Sequence, residues 1–406
     1  MLKIHNLTPD SFHNKYLLTD QRSTMISDYC LISGINFEFD EDSYLCEVEL
    51  PKNALHVTEG SDILEAIDWE FFYKNSSKKL IITHRIIYNL EDYLDKLNEL
   101  VLKYDLNERV YWFTINPLDF RLKHKCRFKF LFLDSLTNVL FEGRINNTYY
   151  VRARDFRDPA QFHKYQYSFE PQNNTFEMLS FDNCSKHFMA SSAAAKAHRL
   201  LSTYLIKERV GLEKGIVTYH GFNDKNLSLE HYLSFFEDPL SKYDISIQDL
   251  LNFRSFRGDN FDDISSHPFE RSLAPSFLNA YEKCLINYVN ESTANELEIF
   301  ITEKIWLNYA HGKPFILNGN KGSLYYLNKY YGFKSFESIF DESYDLMDNF
   351  VDRVYYGVEE LRKFCSLSLE EAKDKVKEVQ KVLDHNFKVF YSINHKDRFL
   401  KIFDEI

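Results

Sequence analysis

Between residues 79 and 115 the apolar pattern changes period twice. Residues 79–83 form a short apolar run centred on Leu80-Ile81-Ile82. Residues 90–104 then carry apolar side chains at 90, 93, 94, 97, 100, 101 and 104, the spacing of one helix face. Residues 110–115 return to a continuous apolar run, ended by Asn116-Pro117. Apolar runs flanking an amphipathic helix predict buried strands of a parallel sheet covered on both faces. Residues 128–133 read as a third such strand, and 44–50 alternates as a half-buried one would.

A second series follows residue 180. It predicts strands at 187–190, 216–219, 284–289 and 314–317. Helices are expected at 192–209, 302–310 (closed by Gly312), 323–331 and 343–365, with weaker ones at 229–236 and 246–253. A last long helix is expected from 369, where Ser368 and Glu371 make a capping box. Leu369, Ala372, Val376, Val379, Leu383 and Phe387 would be its buried stripe. The expected architecture is α/β, with two Rossmann-like domains facing a crevice. They span residues 1–180 and 181–368, and 369–406 would pack back across them. In such sheets ligands sit beyond the carboxyl ends of the strands.

Composition narrows the class. Twelve glycines and nine prolines in 406 residues exclude collagen-like and low-complexity chains and disfavour turn-rich sandwiches and propellers. Six cysteines, at 30, 46, 126, 184, 284 and 365, include no C-x-x-C pair, so reduced thiols are expected rather than a disulfide framework or zinc site. Met1-Leu2-Lys3-Ile4-His5-Asn6 leads into no apolar run, and no stretch approaches the about 20 residues of a membrane span. A cytoplasmic protein is the expectation.

The net charge of −12 hides a basic island. Residues 109–165 contain eleven Lys/Arg and five Asp/Glu. Within it Arg121, Lys123, Lys125, Arg127 and Lys129 alternate with other residues, which could set a basic stripe on one strand face. Such a stripe suits a nucleic-acid backbone; a solvated edge strand guarded by lysines would look the same.

The richest stretch chemically is 299–345. Glu303 and Lys304 fall in the first turn of a predicted helix, where a carboxylate can accept from ribose hydroxyls and an ammonium can meet a phosphate. The strand-to-helix loop holding Asn318, Gly319, Lys321, Gly322 and Ser323 would offer backbone N–H groups to a diphosphate. It lacks the Gly-x-x-x-x-Gly-Lys-Ser/Thr of a P-loop. A dipole-complementing acid and a plain capping loop remain the alternative for these positions. Asp40-Glu41-Asp42 matches the Asp-x-Asp of metal-dependent sugar transferases, outside any buried βαβ run.

Thr302-Glu303-Lys304-Ile305-Trp306, followed by Lys313-Pro314-Phe315-Ile316, resembles the Ser/Thr-Glu-Lys-Leu-Trp…Pro-Val segment in the donor-binding half of GT-B fucosyltransferases. With Gly332-Phe333-Lys334-Ser335-Phe336 and Asp341-Glu342-Ser343-Tyr344-Asp345, it is more similar still to a glycosyltransferase-like group of tailed phages and marine bacteria. That group's Arg-x-x-Arg-x-His-Arg helix and following Gly-(Ile/Leu)-(Ile/Val)-Ser-Tyr strand compare with Ala193-Ala194-Ala195-Lys196-Ala197-His198-Arg199 and Gly215-Ile216-Val217-Thr218-Tyr219. The basic residues expected before Lys196 are alanines here. The likeness covers about 185–345 and leaves the first 180 residues unmatched.

The resemblance implies a GT-B glycosyltransferase with a UDP- or GDP-linked sugar as donor substrate and no tightly bound cofactor or metal. Glu303 would bind the donor ribose and Lys304 would lie near the diphosphate. Lys196 and Arg199 would counter phosphate charge, and Glu291 would face the same pocket. In the N-terminal half His84, directly after the 79–83 strand, is the candidate base, with Asp119 and Asp134 as rivals. The acceptor would be hydroxymethylated cytosine in DNA, which must be flipped from the stack, or a surface glycan. A non-catalytic binding protein and a nucleotide-sugar epimerase are the other classes.

Overall fold

In the computed structural model the chain divides into two compact units, Met1–Asn174 with Asn394–Ile406, and Thr175–Ile393. The structure describes residues 2–6, 37–50, 64, 67–84, 91–114, 126–132, 178–192, 196–219, 221, 228–259, 275–291, 294, 299, 301–393, 397, 400, 401 and 406. The break falls slightly before the expected boundary at 180. Residues 369–393 stay with the second unit and only 394–406 go with the first, so the expected closing segment 369–406 is divided.

In the first unit, β1 (Leu2–Asn6), β2 (Phe37–Phe39), β3 (Leu45–Leu50), β4 (Lys79–His84), β5 (Val110–Thr114) and β6 (Lys129–Phe132) form one sheet. Its order is β2-β1-β3-β4-β5-β6 and every pairing is parallel. α1 (Trp69–Lys74) is capped by Asp68, whose carboxylate accepts the Phe71 N–H at 2.9 Å. α2 (Glu91–Lys103) buries Leu94, Leu97, Leu100 and Val101, the face its spacing predicted. The strand expected to be half-buried is not: Leu45, Cys46, Glu47 and Val48 are all buried, because β3 lies inside the sheet and is covered on both sides. Glu47 interrupts the apolar run without facing water, since the Thr83 hydroxyl on β4 donates to its carboxylate at 2.9 Å. The chain end is tied in by Lys79, whose ammonium donates to the Ile406 carbonyl.

The second unit has a four-stranded parallel sheet in the order β10-β9-β7-β8. β7 (Lys186–Ser192) leads to α3 (Ala197–Leu205), whose last turn widens over Ile206–Val210, and then to β8 (Gly215–Tyr219). The helix expected from 192 starts at Ala197, because Ser192 is still strand and pairs in register with Tyr219. Among the described residues, short helices follow at α4 (Ser228–Ser234), α5 (Glu237–Ser241), α6 (Ile247–Phe253) and α7 (Pro275–Glu282). β9 (Cys284–Asn290) is buried along its whole length. α8 (Glu303–His311) begins at the cap Thr302 and ends at Gly312, whose left-handed φ of 61° favours glycine. Beyond β10 (Phe315–Asn318) come α9 (Ser323–Tyr326), which widens over Leu327–Tyr331, and a 3-10 turn at Glu342–Leu346. α10 (Phe350–Cys365) is a separate helix capped by Asn349, so the expected 343–365 helix is divided. The last helix is also two, α11 (Leu369–Glu378) and α12 (Gln380–Ser392), broken at Val379. The Ser368–Glu371 capping box starts α11 as its sequence predicts, and Ala372, Val376 and Leu383 are buried.

Both outer strands of this sheet are covered. Beside β8, the Gly258 and Asp259 N–H groups donate to the Tyr219 and Val217 carbonyls at 2.9 and 2.7 Å, and the Val217 N–H donates to the Asp259 carboxylate at 2.8 Å. On β10, which has only four residues, the Leu317 N–H donates to the Tyr344 hydroxyl at 3.0 Å. No helix among the described residues is long and apolar enough to cross a membrane.

Candidate functional site

From β7 the chain of the second unit moves outward to β8, then returns to the other side of β7 for β9 and β10. The strand order therefore reverses between β7 and β9, and the crevice beyond their carboxyl ends is where doubly wound sheets bind ligands. Ser192, Asn290 and Asn318 are the last residues of β7, β9 and β10. Asn290 Nδ2 donates to Ser192 Oγ at 2.9 Å, across the reversal itself. Asn290 Oδ1 accepts from Ser202 Oγ at 2.9 Å and from Asn318 Nδ2 at 2.6 Å. Three strand ends and α3 are thus locked to one another by buried polar bonds. Each apolar run ending in a polar residue was a visible signal, but the mutual bonding of those residues was not.

Glu291 follows Asn290 and is wholly buried. Its carboxylate accepts from the Thr302 N–H at 2.9 Å and the Thr302 hydroxyl at 2.5 Å, and lies 3.9 Å from Lys304 Nζ. Lys304 Nζ also donates to Thr302 Oγ1 at 3.0 Å. The Glu291 carbonyl accepts from Arg199 Nη2 at 2.7 Å and Nε at 3.1 Å, and lies 3.0 Å from His198 Nε2. Glu291 therefore fastens the start of α8 to the start of α3. Burial drives the His198 imidazole well below its ordinary pKa, aided by the nearby charges of Arg199, Lys196 and Lys304. It is neutral at physiological pH, with Arg199, Lys196 and Lys304 near it.

The two helix starts differ. α8 is capped by Thr302, which is itself held by Glu291. α3 starts from Lys196 in extended conformation, with no side-chain cap and no acidic residue in its first turn. Among the described residues no side chain caps this helix start, and Lys196, Arg199 and Lys304 lie near it.

The loop expected to cradle a diphosphate is already filled. The Leu324 and Tyr325 N–H groups donate to Asp345 Oδ2 at 3.0 and 3.3 Å, and the Gly322 N–H donates to the Asp345 carbonyl at 2.8 Å. Ser323 Oγ donates to the Asn320 carbonyl at 2.7 Å, and Lys321 pairs with Asp348. The Gly319 carbonyl accepts from Arg353 Nε at 3.3 Å. The other nitrogens of the buried Arg353 donate to the carbonyls of Asp348 at 3.0 Å and of Met347 and Ala294. Burial pushes the Asp345 carboxyl up to about 6, against the pull of the N–H groups it accepts from. An anion does sit at this helix start, but it is the protein's own.

Of the remaining candidates, Glu303 is the first residue of α8 and His84 the last of β4, in register with Leu50; their side chains lie outside the described residues. Asp119, Asp134, Arg121, Lys123 and Lys125 lie outside them altogether. Arg127 is exposed, and its backbone N–H donates to Asn98 at 2.8 Å. Lys129, on the edge strand β6, pairs with Glu108 at 2.9 Å, as a guarded edge would. Asp40 pairs with Lys3 at 2.9 Å and accepts the Asp42 N–H at 2.9 Å, so that acidic triplet forms a surface turn. Among the described residues no group of three or more His, Cys, Asp or Glu could hold a metal ion, and Cys46, Cys184, Cys284 and Cys365 are free thiols.

Comparison of the chain with family models, curated proteins and solved structures gave no match in any of the three. What the fold and the site define is a class: an α/β protein of two units, each with a wholly parallel sheet whose strand order reverses once.

Proposed function

We propose that this chain is a GT-B-type glycosyltransferase, which takes a sugar from a nucleoside-diphosphate donor and passes it to a hydroxyl acceptor. One observation carries the reading: the α3 helix starts uncapped at the reversal point of the second sheet, behind Lys196 and close to Arg199 and Lys304. A helix start and cations in that position favour a dianionic group. They would also stabilise the diphosphate as it leaves, without requiring a metal. Glu303, one residue beyond the Glu291–Thr302 clamp, would take the ribose hydroxyls, as the resemblance of 302–345 implies. The first unit would bring the acceptor and a base, with His84 at the carboxyl end of β4 ahead of Asp119. The acceptor would be hydroxymethylcytosine in DNA or a glycan.

The Asp345 carboxylate at the start of α9 favours a second reading, a binding protein of the same fold that performs no transfer. Titrating the full chain with UDP- and GDP-linked sugars by thermal shift, then with hydroxymethylcytosine DNA and glycans by product mass spectrometry, separates the two. The expected result is a shift with one donor, lost in Lys196→Ala, and transfer lost in Glu303→Ala. Binding without transfer to any acceptor supports the second reading, and no shift with any donor overturns the first.

A further inference from the structure

Beside β10 the second unit holds a cavity of about 870 Å³, the size of a small-molecule site. Tyr309, Phe315, Phe333, Phe336 and Phe340 lie behind its wall, each almost wholly buried, and its rim carries the exposed Tyr325 and Leu346. Four carboxyl side chains line it, Glu337, Asp341, Glu342 and Asp345, against one lysine, Lys334. Three of the four have an evident solvation or structural role. Glu337 and Asp341 are exposed, and Asp345 caps α9.

Glu342 uses only one of its oxygens structurally. It is only 9% exposed. Its Oε1 accepts the Phe336 N–H at 2.8 Å; among the described residues Oε2 accepts no hydrogen bond, and no Lys, Arg or His comes within ion-pair distance. The charged groups acting on it most strongly, Glu337 and Asp345, are acids and repel its charge. Burial is the larger effect, and together they push the carboxyl up to about 7. Buried carboxylates are ordinarily paired, because an unpaired one forfeits its hydration without return. Among the described residues no counter-charge is supplied, and the carboxyl lines an open cavity.

We propose that this cavity is a binding site for a small organic cation, an ammonium or guanidinium group on an apolar stem, with Glu342 as its counter-ion. The exposed Tyr325 and Leu346 at the rim would cover the stem, and Glu342 Oε2 would accept a hydrogen bond from the cation. The site is separate from the β7–β9 crevice and does not depend on donor binding there.

Calorimetric titration of the full chain at pH 7.5 tests the proposal. The probes are phenethylammonium, agmatine, and the tripeptides Gly-Lys-Gly and Gly-Arg-Gly, with phenethyl alcohol as neutral control. The expected result is saturable binding of cations, with the alcohol at least tenfold weaker. Glu342→Gln should weaken the cations tenfold or more. Ser338→Lys, at an exposed position on the cavity wall, should do the same by placing an ammonium inside. This second variant carries the test should Glu342→Gln not fold. Tighter binding of the free amines identifies a small-molecule ligand, and tighter binding of the tripeptides identifies a side chain of a bound peptide. The proposal is overturned by an absence of saturable cation binding, by equal binding of the alcohol, or by unchanged affinity in the folded variants.

Discussion

Replacing Glu291 by alanine should destabilise the second unit far more than removing a typical carboxylate. The wild-type side chain is fully buried and accepts two hydrogen bonds from Thr302, at 2.9 and 2.5 Å. Bonds to a charged acceptor contribute about 1.5–3 kcal/mol each, and a buried donor left without an acceptor costs about 1–3 kcal/mol. Thr302 is itself buried, so water does not replace the lost partner. The Lys304 ion pair, at 3.9 Å with a partly exposed ammonium, adds little. The sum is bounded by the about 3–5 kcal/mol typical of removing one partner from a buried charged pair. At roughly 2–4 °C per kcal/mol for a unit of this size, the melting transition should fall on the order of 10 °C. Glu291→Gln keeps an acceptor for the Thr302 N–H and should lose about half as much. Calorimetry measures both, with hydrogen exchange of the α8 amides locating the effect. A Glu291→Ala protein that melts within about 2 °C of wild type, with α8 protection unchanged, would refute the reasoning.

Gly258→Ala should detach the segment beside β8, since a Cβ there would lie 2.0 Å from the Val217 carbonyl oxygen; a loss of about 2–4 kcal/mol in urea unfolding is expected. Gly322→Ala meets open space but must adopt φ of +79°, so about 1 kcal/mol should be lost, without the larger penalty of a clash. Glu342 has a folded pKa of about 7 against an ordinary 4.5, so the folded state holds its proton more tightly than the unfolded chain. That contribution is present in full below about 4.5 and is lost as pH rises to about 7, roughly 3 kcal/mol in all. Subtracting the stability–pH profile of Glu342→Gln from that of wild type should leave this slope, and a flat difference would contradict it.

The parallel α/β character of both units was legible because apolar runs and helical spacing alternate in the sequence. The failures have local physical causes. Glu47 made β3 look half-exposed, because periodicity cannot foresee that Thr83 on the next strand supplies a buried partner. Small, helix-compatible residues after Ser192 hid the strand's true end, which is set by pairing with β8. The glycines of the 318–323 loop did mark a strand-to-helix turn, but Asp345, twenty residues on, takes the Leu324 and Tyr325 N–H groups of the helix that follows and, through its carbonyl, the Gly322 N–H. Glu291 was legible as a residue of the site, whereas its task of holding Thr302 depends on a contact across the loop after β9. Arg353 gave no signal at all, because its partners are backbone carbonyls from three separate loops.

The covered outer strands of the second sheet bear on how this unit can meet other molecules. Gly258 and Asp259 occupy the outward carbonyls of β8, and Tyr344 takes the Leu317 N–H of the short β10. An incoming extended peptide would find these main-chain groups already engaged, so β-augmentation is closed to it. The same closure guards against templated stacking of one copy on another through sheet edges. Recognition of an extended peptide by this unit must therefore run through side chains, and a Tyr344→Phe change, by freeing one N–H, would be the smallest step toward an adhesive edge.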